Sequence, residues 1–148
     1  MKSLVLFFIC ALLCSCQQDS DKLFFQSVLT NNVVDDKYNI LFIVPGSGCH
    51  GCITGAEYFV KENSSKYPNV LFVFTSVKSI KILKLKLGKE ILHYGNILFD
   101  INNNFFNYNS KRNIYPAIVH LKNGDVRMVN YLSPESEYSI KQLMDIIY

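Results

Sequence analysis

Ile40-Leu-Phe-Ile-Val-Pro45-Gly-Ser-Gly-Cys49-His50-Gly51-Cys52 is the stretch on which the rest of the chain depends. It opens with an unbroken apolar run, short and rich in β-branched and aromatic residues, which reads as a buried strand. A Gly/Pro turn follows, then two cysteines three residues apart. Beyond them Ile53, Ala56, Phe59 and Val60 recur at helical spacing, so the cysteines open a helix of about 49–63. The first turn of a helix has unpaired backbone N–H groups and the positive end of the macrodipole. A thiolate is stabilised there, which lowers the thiol pKa and makes the sulfur nucleophilic. Positions i and i+3 share one helix face, so Cys49 and Cys52 can close a disulfide with little backbone movement. Cys49 reads as the outer, attacking thiol and Cys52 as the resolving one. A protonated His50 would add a cation beside the sulfur, and Gly51 would let another backbone approach.

Working outward, the amino terminus is a separate segment. Residues 1–16, MKSLVLFFICALLCSC, pair one early lysine with an apolar run too short to cross a bilayer comfortably. The ending Leu13-Cys14-Ser15-Cys16 resembles a bacterial lipobox, in which the final cysteine is lipidated. Residues 17–35 then hold a polar tether and a short helix from Leu23 to Asn32, with Leu23, Phe24, Val28 and Leu29 facing inward. Of five cysteines, this processing leaves only Cys49 and Cys52 in the domain. No structural disulfide framework explains that pair, so redox or metal chemistry remains.

The domain itself spans residues 36–148. Asn69–Thr75 is a second continuous apolar run, and two such runs joined by one helix make a parallel, right-handed βαβ unit. Ser76–Leu87 partly alternates, but Ile80, Leu83 and Leu87 fit a helical face ending at Gly88. Its lysines at 78, 81, 84, 86 and 89 read most simply as a solvated face, with an acidic partner or anionic lipid as the functional option. Asn96–Ile101 reads as a further strand, and Asn102–Ser110 as a polar loop or short helix. Asn123-Gly124 joins two β-rich runs as a hairpin, with a type I′ turn. Ser133 would cap a last helix with Pro134 at its first position and Ile140, Leu143, Met144 and Ile147 along one stripe. A parallel half and an antiparallel half in one sheet with helices on both faces make a three-layer α/β/α sandwich.

The chain resembles the thioredoxin superfamily, in its exported, membrane-tethered TlpA-like branch. Cys49-His50-Gly51-Cys52 after a buried strand, Tyr115-Pro116 before the hairpin and Lys122-Asn123-Gly124 at its turn carry the likeness. The resemblance implies a thioredoxin-like fold with a mixed sheet, and a cis Pro116 packed against the Cys49–Cys52 pair. It also implies that Tyr115 and Gly48 border the substrate strand. The implied activity is thiol–disulfide exchange with exported protein thiols and disulfides and an upstream redox partner. The disulfide would be the only redox group, with no metal or other cofactor. The chain would be a monomer held by its lipid on the inner or outer membrane of a bacterial envelope. Several family features are missing. Gly48 replaces the aromatic residue before the first cysteine, and no proline lies between the cysteines. No carboxylate sits within Ile40–Val44, and Gly55 occupies a place where a glutamate is usual, with Glu57 two residues on.

Two other functions fit the same residues. Cys49 and Cys52 with one imidazole, from His50, His93 or His120, would suit Cu(I) or Zn(II). A thioredoxin fold could also serve as a non-catalytic peptide-binding module beside Pro116. Other classes fall away. A net charge of +3 without an arginine cluster or aromatic–basic patch argues against nucleic acid. Gly46-Ser-Gly48 lacks the Gly-Lys-Ser/Thr of a phosphate loop.

Overall fold

The strand before the cysteines, β1 (Ile40–Pro45), is the central strand of a five-stranded mixed sheet. The computed structural model describes residues 20–32, 34–136 and 139–145; the segment 1–16, Cys16 and the tether at 17–19 lie outside them. The other strands are β2 (Val70–Thr75), β3 (Ile97–Asp100), β4 (Ala117–Lys122) and β5 (Asp125–Tyr131). Their order is β3-β2-β1-β4-β5, with β1, β2 and β3 parallel and β4 and β5 antiparallel to their neighbours. The helices are α1 (Ser20–Asn31), α2 (His50–Asn63), α3 (Ile80–Leu87) and α4 (Ile140–Asp145).

The unbroken apolar runs of β1 and β2 follow from coverage on both faces, and alternation sorts them into two cores. Ile40, Phe42, Val44, Val70, Phe72, Phe74 and Ile118 meet Ile53, Ala56 and Val60 of α2 and Leu83 and Leu87 of α3. On the other face Leu41, Ile43, Leu71, Val73, Ala117 and Val119 meet Phe25 and Val28 of α1 and Phe105 of the loop after β3. The result is a three-layer α/β/α sandwich of thioredoxin-like type.

Most elements lie where their patterns place them. The lysine-rich segment is a helix, capped by the Ser79 hydroxyl accepting from the Ile82 N–H and stopped at Gly88. β3 is the expected extra strand, paired in parallel with β2 at the sheet edge. Asn102–Ser110 is a run of turns. Asn123 and Gly124 both have positive φ, 54° and 80°, as a type I′ turn requires.

Two helices differ from expectation. α1 begins at Ser20 and buries Asp21, Phe25 and Val28, leaving Leu23 50% exposed. The burial of Asp21 sets this rotation, because its carboxylate is anchored by the 107–112 loop described below. The last helix starts at Ile140, not after Ser133, which closes a turn by accepting from the Ser136 N–H. Ser139 and Gln142 form a reciprocal capping box: Gln142 N–H donates to Ser139 Oγ, and Ser139 N–H donates to Gln142 Oε1. That pair outcompetes Ser133 as a helix start. The side chains of Leu143, Met144 and Ile147 lie outside the described residues.

His120 on β4 is 6% exposed and sits opposite Ile40, with Asn130 Nδ2 3.3 Å from its Nε2. Burial pushes its imidazole pKa below the ordinary 6.5. The unfolded chain therefore takes up this proton first as pH falls. Stability from neutral His120 is complete above about pH 6.5 and is lost downward through the depressed folded pKa, at up to about 1.4 kcal/mol per pH unit. Urea midpoints of wild type and His120→Gln across about pH 7.5 to 5 test this. The wild type should lose stability faster on acidification, and parallel profiles would show that His120 does not contribute.

Candidate functional site

Leaving the central strand at Pro45, the chain has four residues, Gly46 to Cys49, in which to turn into α2. Gly46 donates its N–H to the Thr75 carbonyl at 2.8 Å, which holds the turn to the end of β2. A Cβ on Gly46 would fall 2.3 Å from the Ser76 carbonyl oxygen. On the opposite side Gly48, at φ +140°, lies against Ile114, where a Cβ would fall 2.3 Å from that carbonyl oxygen. The two glycines thus let the turn pass between the loop after β2 and the loop before β4. Side chains at either position would push one wall away.

Cys49 is the N-cap of α2 and Cys52 its third residue; the two form a disulfide with Cα atoms 5.3 Å apart. The Cys49 N–H donates to the Ile114 carbonyl at 2.9 Å, and the Cys49 carbonyl accepts the first helical bond from Ile53 at 2.9 Å. The N–H groups of His50, Gly51 and Cys52 have no acceptor within the helix, as in any first turn. They and the helix dipole favour negative charge on sulfur once the disulfide is opened. Both cysteines are half-buried and His50 is exposed. Chemically, this is a disulfide at a helix start, reachable from solvent.

The segment before β4 differs from the resemblance in one respect. The Tyr115–Pro116 bond is trans, not cis. Trans is the intrinsically favoured form, by about 0.5–1 kcal/mol for an X–Pro bond. Turns closed by Asn113 N–H to the Ser110 carbonyl and Tyr115 N–H to the Arg112 carbonyl bring the chain onto the cysteine turn one residue earlier, at Ile114. Pro116 is buried one step beyond the Ile43–Ala117 pair, at the end of β1 where the turn departs. Its carbonyl accepts from Leu132 at 2.8 Å, and half-buried Tyr115 lines a small cavity with Phe25, Ile43 and Pro45.

The loop that presents Ile114 is itself clamped from the far layer. Asp21 of α1 is 1% exposed and accepts from Arg112 Nη2 at 2.5 Å and Asn107 Nδ2 at 2.8 Å. The Arg112 guanidinium lies 4.7 Å from the centroid of the Tyr131 ring. Burial and the Asp21 charge push the Tyr131 phenol well above its ordinary value, so it stays protonated. Residues 86 and 91 positions apart meet here, and no local motif announces them. Arg112→Leu strands the Asp21 carboxylate with one fewer donor. The expected loss is about 2 kcal/mol, below that for a fully buried pair because the guanidinium is half in solvent. A urea midpoint shift worth less than about 0.5 kcal/mol would mean that the clamp contributes little.

Other sequence candidates lie elsewhere. Glu57 pairs with Lys86 of α3 at 3.2 Å, so it faces the neighbouring helix. His120 sits opposite Ile40, at the end of β1 away from the cysteine turn, and His93 is exposed in the 3-10 turn Glu90–His93. Among the described residues no three His, Cys, Asp or Glu side chains converge as a metal-ligating group. Asp35 and Asp36 are exposed, and Asp35 pairs with Lys37 at 3.0 Å. A buried carboxylate absent from β1 does occur at Asp100, at the end of edge strand β3. Its oxygens accept from Thr75 Oγ1 at 2.7 Å, Asn104 N–H at 3.0 Å and Phe105 N–H at 2.8 Å. It holds the loop after β3 in place. Comparison with family models, with curated proteins and with solved structures finds no match to this chain.

Proposed function

We propose that this protein is a thiol–disulfide oxidoreductase that acts on protein thiols and disulfides through Cys49 and Cys52. One observation carries the reading: a cysteine pair closed as a disulfide at the start of a helix, in a thioredoxin-like sandwich, with both sulfur-bearing residues partly open to solvent. In the reduced protein the Cys49 thiolate attacks one sulfur of a substrate disulfide. A mixed disulfide forms, and the other substrate sulfur leaves as a thiolate that takes a proton from water. The Cys52 thiolate then attacks the Cys49 sulfur, re-forms the internal disulfide and releases the second substrate thiol. Two electrons pass to the substrate, and the same steps in reverse oxidise a dithiol. The helix start lowers the energy of the Cys49 thiolate and so favours the reduced protein, shifting the couple toward an oxidant.

Anchoring by a lipid on Cys16, facing the periplasm of a bacterial cell, completes the proposal. It rests on the apolar segment 4–13 and the Leu13-Cys14-Ser15-Cys16 ending. The copper or zinc reading has less support: among the described residues no three His, Cys, Asp or Glu side chains converge as a metal-ligating group, and His120 occupies the other end of β1. Alkylation of the purified protein across a glutathione redox series, read by mass on the peptide holding Cys49 and Cys52, tests the exchange chemistry. A reversible two-electron transition is expected, and its midpoint gives the direction. A pair that stays reduced throughout would sink the proposal.

A further inference from the structure

The lysine-rich helix α3 presents a second exposed surface, whose Ile82 edge lines a cavity with Pro45 and Gly46 of the cysteine turn. Leu83 and Leu87 point into the core. At about 100° per residue, this puts Leu85 at the crest of the opposite face, with Lys81 on one side of it and Ile82 on the other, toward the groove that Ile82 lines with Glu57. Ile82 and Leu85 both stand in solvent, 58% and 71% exposed. Lys81 lies beside Leu85, Lys86 flanks Ile82, and Lys84 forms the other shoulder, with exposed Lys78 and Lys89 just outside the helix ends. Lys86 reaches Glu57 at 3.2 Å and Lys84 lies 5.1 Å from the Phe99 ring centroid, which holds these two shoulders in place.

We infer that this face docks on an anionic lipid bilayer. A purely solvated helix face does not call for two neighbouring aliphatic side chains, Leu85 at its crest and Ile82 on the flank, standing in solvent. An interfacial helix does: its apolar crest enters the boundary between headgroups and acyl chains, while lysine stems lie along the surface with their ammonium groups at the phosphates. The composition also distinguishes the partner. Residues 78–89 hold five lysines, no arginine and no aromatic residue. Protein interfaces are depleted in lysine and enriched in arginine and aromatic residues, so an acidic protein surface fits this patch less well than phosphate headgroups. Docking through α3 would add a second contact to any lipid on Cys16 and does not depend on it.

Lysine footprinting of the full chain on vesicles tests the proposal. The protein is pulsed with an acetylating reagent on vesicles of phosphatidylcholine alone or of phosphatidylcholine with phosphatidylglycerol, and each lysine is read by mass spectrometry. On the anionic vesicles Lys81, Lys84 and Lys89 should acetylate about fivefold more slowly or less, while exposed Lys111 and Lys122 keep their rates. High salt should remove most of the difference. Equal rates on both vesicles, whether all fast or all slow, would overturn anionic docking and leave the face to solvent or to a protein. Ile82→Ser with Leu85→Ser changes only exposed side chains and should lose more than half of the protection. Full protection in that variant would also overturn the proposal, since the crest would then take no part.

Discussion

Cys49→Ser should abolish the proposed disulfide exchange, and Cys52→Ser should leave a protein that attacks substrate disulfides once and stays attached to them through Cys49. The asymmetry follows from the helix start. Cys49 is the N-cap residue, outside the first turn, where an incoming disulfide can approach, and Cys52 is three residues further in. With Cys49 gone the sulfur at the N-cap is lost and only the resolving one remains, so the rate should fall to that of an ordinary thiol, at least about a hundredfold, as removal of an activated nucleophile does. With Cys52 gone the first step survives and the resolving step does not. A disulfide-containing peptide reporter and non-reducing gels of the two variants are enough to check this. Trapping by Cys49→Ser, with Cys52→Ser unable to trap, would reverse the two roles.

Gly48→Ala should cost about 3 kcal/mol of stability and loosen the site as well. Two penalties combine. The backbone at φ +140° is a conformation that an L side chain rarely adopts, and the new methyl group would fall 2.3 Å from the Ile114 carbonyl oxygen and 2.6 Å from the Ile114 Cα. Relief requires the loop before β4 to move off the cysteine turn, which breaks the bond from the Cys49 N–H to the Ile114 carbonyl. Urea unfolding of the oxidised protein measures the first effect, and the glutathione midpoint measures the second. A loss under about 1 kcal/mol would show that the loop gives way easily and that Ile114 does not hold the turn. Gly55→Ala is the control, since a Cβ there meets nothing within 4 Å and Ala is a better helix residue than Gly.

Much of this site was legible in the chain because its determinants are local. β1 and β2 are continuous apolar runs because both faces are covered, and continuity is visible without knowing by what. The hairpin at Asn123-Gly124 and the cap at Ser79 are short-range backbone chemistry. The cysteine pair needs only its spacing and the helix that follows. The start of the last helix is ambiguous for an equally local reason: Ser133-Pro134 and Ser139-x-x-Gln142 are competing start signals, and the reciprocal pair satisfies more backbone groups.

Local patterns in the chain thus specify the order of elements and the placing of Cys49 and Cys52 at the head of a helix behind a buried strand. What surrounds them is set by contacts between distant parts of the chain. Asp21 reads as a polar residue of a tether-like segment until Arg112 and Asn107 arrive from the other end of the chain to pair with it. That pairing turns Leu23 out to solvent. Ile114 has no motif, yet its carbonyl holds Cys49, and the Tyr115–Pro116 bond is trans. His120 could be placed near the cysteines or far from them until strand register set it opposite Ile40. The physical reason is common to all of these: a backbone cap or a hydrophobic period involves neighbours in the chain, whereas an ion pair, a carbonyl contact or a strand register joins residues whose proximity only the folded sheet creates.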